Sequence, residues 1–253
     1  MKVAVCVKAV PDAAGGRRID GGTKRLDRSG ELVLSDFDTH AVEEALRVRD
    51  AAGEGEVVIV TLGPDRAADA LRKTLAMGAD RSVLVSDEGF AGADLLVTAR
   101  ALAGVLARES ADVVLFGQQS ADGDGACLWA AVAELLGRPV LSQVSELTVA
   151  DGSATGKRQT EFGYERVRAP LPAVVAVSDA INEPRYPSLK GIMGAKSKPQ
   201  EVLSAADVGG LSEPRTTVLA LSAPPARGEG RRIEDDGDAA AAIVEFLAER
   251  RVL

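Results

Sequence analysis

Three glycines fall within Gly117-Gln118-Gln119-Ser120-Ala121-Asp122-Gly123-Asp124-Gly125, between an apolar run and a helix-like stretch. Glycines at such a junction let backbone amides come close to a phosphate, and a helix amino terminus adds partial positive charge. The chemistry this spacing points to is nucleotide binding. The loop is not a Walker loop, because GK[ST] is absent, and it is not a GxGxxG fingerprint in good register. Asp122 and Asp124 would repel a phosphate if they pointed at it. They read equally well as caps of the following helix, and both readings stand on the residues alone.

The rest of the chain is poor in catalytic side chains. It has one histidine, His40, which sits on a helix and reads as a surface or capping residue. No HExxH, GxSxG or Cys/His metal spacing occurs. The two cysteines, Cys6 and Cys127, form no CxxC and read as small buried residues. Acids are abundant, but most lie on amphipathic stretches and read as solvated faces. Redox chemistry here needs a cofactor to carry it. With 30 Lys plus Arg against 38 Asp plus Glu, the net charge is −8, which argues against broad nucleic-acid binding. No apolar run approaches the roughly 20 residues of a membrane span. Met1-Lys2 leads into a strand-like stretch too short for a signal peptide, so a reducing, cytoplasmic setting is the simplest reading.

These candidate groups need a scaffold. The chain has 253 residues, 46% of them hydrophobic and only 3% aromatic, so its core must be aliphatic. Strands are predicted at 2–8, 56–62, 81–85 and 112–116. Helices are predicted at 38–48, 65–76, 94–107 and 123–136, the first capped by Asp36 or Asp38 and the last stopped by Gly137 and Pro139. Segment 11–27 reads as a loop or irregular hairpin. Alternating strands and helices with short connections give a doubly wound, mostly parallel α/β sheet with helices on both faces. After Val140 the character changes. Strands at 141–149, 156–161 and 164–168 form an antiparallel addition, and 173–177 returns to a buried strand. Residues 209–237 read as an extended arm, and a helix follows from about 238 to 250.

Ligands of such sheets bind beyond the carboxyl ends of the strands, where strand order reverses. The ends here are Cys6-Val7-Lys8, the turn Ser35-Asp36-Phe37-Asp38, Leu62, and the loop from Gln118 onward. Phe37 is the one aromatic beside such a turn, and it also reads as an ordinary core residue.

A second segment stands apart, running from Asn182-Glu183-Pro184-Arg185-Tyr186-Pro187 to Lys198-Pro199. Arg185, Lys190, Lys196 and Lys198 face one acid, Glu183, on an otherwise acidic chain. Leu189, Ile192 and Met193 lie at i, i+3 and i+4, one face of a helix. A basic, partly apolar segment on an acidic body suits either a protein-docking arm or a solvated loop with a short surface helix.

NEPRYPSLKGIMGAKSKP resembles the recognition loop of the electron transfer flavoprotein beta subunit. The preceding Arg158, Glu161, Gly163, Glu165, Val167, Pro172, Val174, Val175 and Ala176 resemble that family's signature, with Phe162 as a departure. The resemblance runs from Met1 to about Val208. It implies the adenine-nucleotide-binding type of α/β fold and a heterodimer with an alpha subunit that holds a redox FAD at the junction. It also implies electrons taken from flavin dehydrogenases of the acyl-CoA dehydrogenase type and passed to a quinone reductase, with no independent catalysis by this chain.

In the beta chain the resemblance implies AMP, or a second FAD in the branch that bifurcates electrons. The matching positions are Cys6, Ser35, Asp36, Phe37, Asp38, Leu62, Gln118, Gln119, Asp122, Gly123, Asp124, Gly125, Ala126, Cys127 and Leu128. Cys127 stands where a Gln is usual and Trp129 where a Gly is common. Phe37 matches the residue that approaches the partner's flavin. Arg185, Tyr186, Leu189, Ile192, Met193 and Lys196 match the docking arm. The implied division is 1–208, a nucleotide-binding domain carrying the 182–199 loop, and 209–253, an arm and helix that wrap the partner. The residues alone leave two rivals: an ATP-cleaving α/β enzyme, against which the missing loop lysine weighs, and an AMP-binding module with no electron role.

Overall fold

The computed structural model describes residues 1–226, 228, 230, 232–235 and 237–252. Positions 227, 229, 231 and 236 of the expected 209–237 arm lie outside the described residues. The strands are β1 Lys2–Cys6, β2 Ala9–Pro11, β3 Ile19–Asp20, β4 Arg25–Leu26, β5 Leu32–Leu34, β6 Glu56–Leu62, β7 Arg81–Val85, β8 Val113–Gly117, β9 Val140–Ala150, β10 Ser153–Thr160, β11 Gly163–Pro170, β12 Ala173–Val177 and β13 Gln200–Leu203. The helices are α1 Asp36–Ala51, α2 Ala68–Met77, α3 Leu95–Glu109, α4 Leu128–Leu136, α5 Leu189–Ala195 and α6 Ala239–Glu249.

Among the described residues nine strands form one sheet in the order β11-β10-β9-β12-β8-β1-β6-β7-β13. The seven from β9 through β12 to β13 pair in parallel, and β10 and β11 continue from β9 as an antiparallel meander. This is the mixed α/β sheet that the alternation predicts. β6, β7 and β12 fall on the predicted bounds residue for residue, because short valine-rich, mainly apolar runs are the mark of a strand covered on both faces.

Side chains alternate across the sheet. Val3 and Val5 of β1 join Ala41, Val42, Leu71 and Leu75 of α1 and α2 in one core layer. Ala4 and Cys6 join Leu102 and Val105 of α3 and Val132 of α4 in the other. Strand order reverses at β1, which lies between β6 and β8 in register: Cys6 pairs with Val60 on one side and Phe116 on the other. The crevice at this reversal is where the doubly wound topology places a ligand.

Three local expectations are corrected. The predicted helix at 65–76 begins as a 3-10 turn, Asp65–Ala67, before α2. The predicted helix at 123–136 begins only at Leu128. Gly123 and Gly125 give a helix little support, and Asp124 adopts a left-handed φ of 48° in a turn closed by its N–H to Ser120 O at 2.9 Å. Finally, Ser35, not Asp36 or Asp38, is the residue before the first turn of α1.

The chain separates into a compact unit, Met1–Thr217, and a second, Val218–Leu253, that contains α6. Within the first unit, the start of the arm is fastened to the amino end of α3. Asp94 Oδ2 accepts from the N–H groups of Arg215 and Thr216 at 2.7 and 3.2 Å, while Oδ1 caps Val97 at 2.9 Å. No helix among the described residues is long and apolar enough to cross a membrane.

Candidate functional site

β1 and β8 run side by side into the crevice, and the residues just past their ends are bolted together by one side chain. Asp38, in the first turn of α1, is buried. Its Oδ2 accepts from Lys8 N at 2.8 Å, and the Gly117 N–H also donates to the carboxyl. Burial pushes the Asp38 carboxyl up to about 7, against these two amides and the Lys8 charge, and Asp122 adds to the rise. Gly117 is required here: a Cβ would lie 2.6 Å from Asp38 Oδ1 and 2.7 Å from the Phe37 carbonyl carbon. Asp38 therefore spends its oxygens on the strand ends. Ser35, also buried, turns its Oγ to the neighbouring loop and accepts from Ala121 N at 3.2 Å.

The loop 118–127 is held by residues from distant parts of the chain. The Asp122 side chain is 1% exposed and bridges two cations, Lys8 Nζ on Oδ1 at 2.7 Å and Arg28 Nη2 on Oδ2 at 2.5 Å. Burial alone would raise the Asp122 carboxyl, but its bonds and charge interactions with Lys8 and Arg28 outweigh it and hold the group below the usual carboxylate range. Lys8 Nζ also donates to Ser120 Oγ at 3.4 Å, and Arg17 donates to Ala121 O. The capping roles open to Asp122 and Asp124 are not realised. Asp122 is an ion-pair centre, and Asp124 is exposed, with Gln119 Nε2 at 3.4 Å.

The loop backbone is open. A Cβ on Gly125 would meet nothing within 4 Å, and one on Gly123 only Ser120 Oγ at 3.5 Å. With Lys8 at its edge, this open backbone fits a phosphate-bearing nucleotide. Gly123, Asp124, Gly125, Ala126 and Cys127 are exposed. Cys127 thus corrects the buried reading: it precedes α4 with its side chain outward. Leu62 and Leu128 are half-buried against the second core layer. So is Trp129, whose Nε1 donates to Gln118 O at 3.0 Å, closing the two ends of the loop on each other. Cys6 is buried; desolvation, with the Asp38 charge behind it, pushes its thiol well above the ordinary value, so it is no nucleophile. Phe37 is half-buried beside Gly117, and Asp36 is exposed. Gln118 also lines a polar hollow of about 440 Å³ with Gln143, Gln159, Thr160, Glu161 and Ser178. No group of three or more acids, histidines or cysteines among the described residues is placed to hold a metal.

The 182–199 segment leaves the carboxyl end of β12, the strand next to β8, with Val177 in register with Gly117. It is strapped onto α1 and α2. Arg185 Nε and Nη2 bond Glu43 at 2.7 and 3.1 Å, and Arg185 N donates to the same carboxylate at 3.2 Å. Asn182 Nδ2 donates to His40 O and Glu44 Oε2, both at 3.0 Å, and His40 Nδ1 lies 3.0 Å from Asn182 O. Glu43 and Glu44 are buried, unlike the solvated acids expected of this helix, because they anchor the segment; His40 is half-buried for the same reason. Lys198 Nζ caps the end of α2, donating to Leu75 O at 2.9 Å and Ala79 O at 2.6 Å. Gly191 lets α5 sit on α2, since a Cβ would lie 2.3 Å from Ala76 O.

Between these fastenings the apolar residues point outward. Leu189 is 75% exposed, and Tyr186, Ile192 and Met193 are exposed with it, as are Lys190 and Lys196. Sequence spacing finds this face. It does not find the cations of the other site: Lys8, Arg17 and Arg28 lie 94 or more residues from the loop they hold.

Comparison with known proteins gives one consistent answer. A family model described as the electron transfer flavoprotein domain matches residues 23–208. The electron transfer flavoprotein subunit beta of Mycobacterium tuberculosis (strain ATCC 25618 / H37Rv) is 39% identical over 263 aligned positions, covering 99% of each chain. That of Mycobacterium leprae (strain TN) is 40% identical with the same coverage. The caffeyl-CoA reductase-Etf complex subunit CarD of Acetobacterium woodii is 36% identical over the whole of both chains.

Proposed function

The chain belongs to the electron transfer flavoprotein family, as a beta-subunit member, and from that premise we propose that it works as the non-catalytic half of a heterodimeric electron carrier. Its partner is an alpha subunit that holds FAD at the junction, and FAD, when bound, supplies the redox chemistry. The proposed donors are flavin dehydrogenases of the acyl-CoA dehydrogenase type, and the acceptor is a quinone reductase. The setting is cytoplasmic. Residues 1–208 form the nucleotide-binding and docking domain, and 209–253 wrap the partner.

The observation that carries this reading is the exposed face of α5. Leu189, Ile192 and Met193 on a short helix fastened at both ends form a pre-organised apolar anchor, which a chain acting alone would have no use for. Arg185 is the strap, Tyr186 widens the face, and Lys190 and Lys196 steer encounter with an acidic partner. The reversal crevice takes an AMP with a structural role, between Cys6, the Ser35–Asp38 turn, Leu62 and the Gln118–Leu128 loop, and Phe37 faces the partner's flavin.

The test is Leu189→Ala in the assembled heterodimer. Electron acceptance from a dehydrogenase falls by roughly tenfold, the scale of one lost anchor, with flavin content unchanged. Flavin loss in this variant would remove the anchor role. A second reading, a bifurcating form with FAD in the crevice, draws on the likeness to the Acetobacterium woodii subunit. Nucleotide extracted from the heterodimer separates them: one FAD plus one AMP for the simple carrier, two FAD for the bifurcating form.

A further inference from the structure

We infer that Asp94 is the positioning residue that presents the carboxyl-terminal arm to its partner, by pinning the arm at the amino end of α3 just before it leaves the first unit. This rests on the reading of 209–253 as the segment that wraps the alpha subunit, and it names the group that aims that segment. The path to the pin is fixed by contacts. After β13 the 3-10 turn Ala205–Val208 lies against α3, where Gly104 leaves room for the Val208 carbonyl, and Asp87 Oδ2 accepts from Ala205 N at 3.1 Å. Gly209 and Gly210 then turn the chain with φ of 98° and 86°. Leu211 packs on Gly89, Arg100 Nη1 donates to Ser212 Oγ at 3.4 Å, and Arg215 and Thr216 reach Asp94. The arm thus runs back along α3, against its direction, from Gly104 to Asp94.

Asp94 divides its two oxygens between two tasks. Oδ1 caps α3, accepting from Val97 N at 2.9 Å. Oδ2 gathers the arm, accepting from Arg215 N at 2.7 Å and from Thr216 N and Oγ1, both at 3.2 Å. A helix cap needs one acceptor, which Ser, Thr or Asn would supply; of the capping residues only Asp brings a second oxygen for another segment. Thr217 ends the first unit, so the pin stands where the second begins. No residue of α6 in that second unit is buried, and Ile243 and Val244 are 52% and 56% exposed, an apolar surface for the partner to cover. α3 follows β7, so its amino end stands at the carboxyl edge of the parallel strands, the edge that carries the crevice and the 182–199 segment. Residues 209–216 are therefore ordered on that edge before the partner arrives. The ordering cost is met in the free chain, and the effective concentration of α6 for a bound alpha subunit rises.

The experiment pairs amide hydrogen exchange of the full chain with the heterodimer Kd, read by dilution of the co-purified complex. Asp94→Ser keeps a hydroxyl to cap Val97 and is too short to hold Arg215 and Thr216. Exchange at residues 215 and 216 rises by roughly tenfold while Val97 stays protected, and Kd rises by roughly tenfold; a merely structural cap would leave Kd alone. Leu211→Ala frees the arm from Gly89 without touching Asp94. It shifts arm exchange and Kd the same way by roughly threefold, and it decides the matter should Asp94→Ser fray α3. Freed arm amides with an unchanged Kd, or a raised Kd with the arm amides still protected, overturn the pin. The paired variant Ile243→Ser, Val244→Ser tests the reading beneath it. A raised Kd with the arm still pinned keeps 209–253 as the partner-wrapping segment, whatever Asp94→Ser shows. An unchanged Kd in the paired variant ends the wrapping reading, and the role of Asp94 with it.

Discussion

Two loops leave neighbouring strands at the same end of the sheet, and they are built in opposite ways. The loop after β8 turns to the crevice and exposes backbone; the segment after β12 runs over α1 and α2 and exposes apolar side chains. In both, charge is used as a fastener. Asp122 gathers Lys8 and Arg28 in the first, and Glu43 holds Arg185 and Arg47 in the second. In each case the carboxylate is buried and the cation reaches in from solvent, an arrangement that costs less desolvation than burying both ions. What is left outside each fastening differs: open glycine backbone in one case, exposed Leu189 and Met193 in the other.

A matched pair of glycine substitutions breaks the comparison most strongly. Gly117→Ala drives a Cβ into Asp38 and the Phe37 backbone and is expected to cost about 3 kcal/mol, with nucleotide content lost. Gly191→Ala drives one into Ala76 O, lifts α5 from α2 and abolishes dehydrogenase coupling with nucleotide retained. Thermal melts with nucleotide and flavin assays of both variants check this, and a variant that disturbs both loops equally would show that they are not independent.

Next in size is Glu43→Gln, which strips the charge from the strap. A loss of roughly 1–3 kcal/mol is expected, since Arg185 stays partly solvated, together with weaker dehydrogenase coupling. Denaturant titration and steady-state kinetics read the two effects separately.

The pH dependence sharpens the contrast, because the two buried carboxyls of the crevice pull in opposite directions. Asp38, held at about 7 by burial, binds a proton in the folded chain that the unfolded chain releases near 3.8. Its contribution to stability is therefore present at low pH and lost as pH rises from about 4 to 7, at up to about 1.4 kcal/mol per unit. Glu44, also raised by burial, adds the same sign just above the ordinary carboxylate range. Asp122, Glu43 and Glu109 are lowered, so their contributions are gained below that range and do not mask the slope. Denaturant unfolding from pH 5 to 8 should show stability falling, and Asp38→Asn should flatten that fall whatever its constant offset.

The smallest effect is at Lys190 and Lys196. Their replacement by Gln should change stability by no more than about 0.5 kcal/mol and slow dehydrogenase encounter severalfold at low salt only. Stopped-flow mixing across a salt series measures it.

The sheet was readable because its signals are local. Residues 57–60 at the centre of β6 are apolar and β-branched throughout, the mark of a strand buried on both faces. The exposed face of α5 was readable too, from i, i+3, i+4 spacing. The loop before α4 was not, because its conformation answers to residues elsewhere. An acid near a helix start looks like a cap, and nothing beside Asp122 in sequence shows that Lys8 and Arg28 will claim it from 114 and 94 residues away. Glu43 and Glu44 misled in the same way, since an amphipathic stripe records which face is polar but not whether another segment will lie on it.

The in-register pairing of Gly117 with Val177 has a mechanical consequence. Both working loops spring from adjacent rods clamped between two helix layers, so they share one fixed datum, as two tools share a single vice. Lengthening or recoding either loop leaves the other's origin undisturbed, so each can vary without displacing its neighbour.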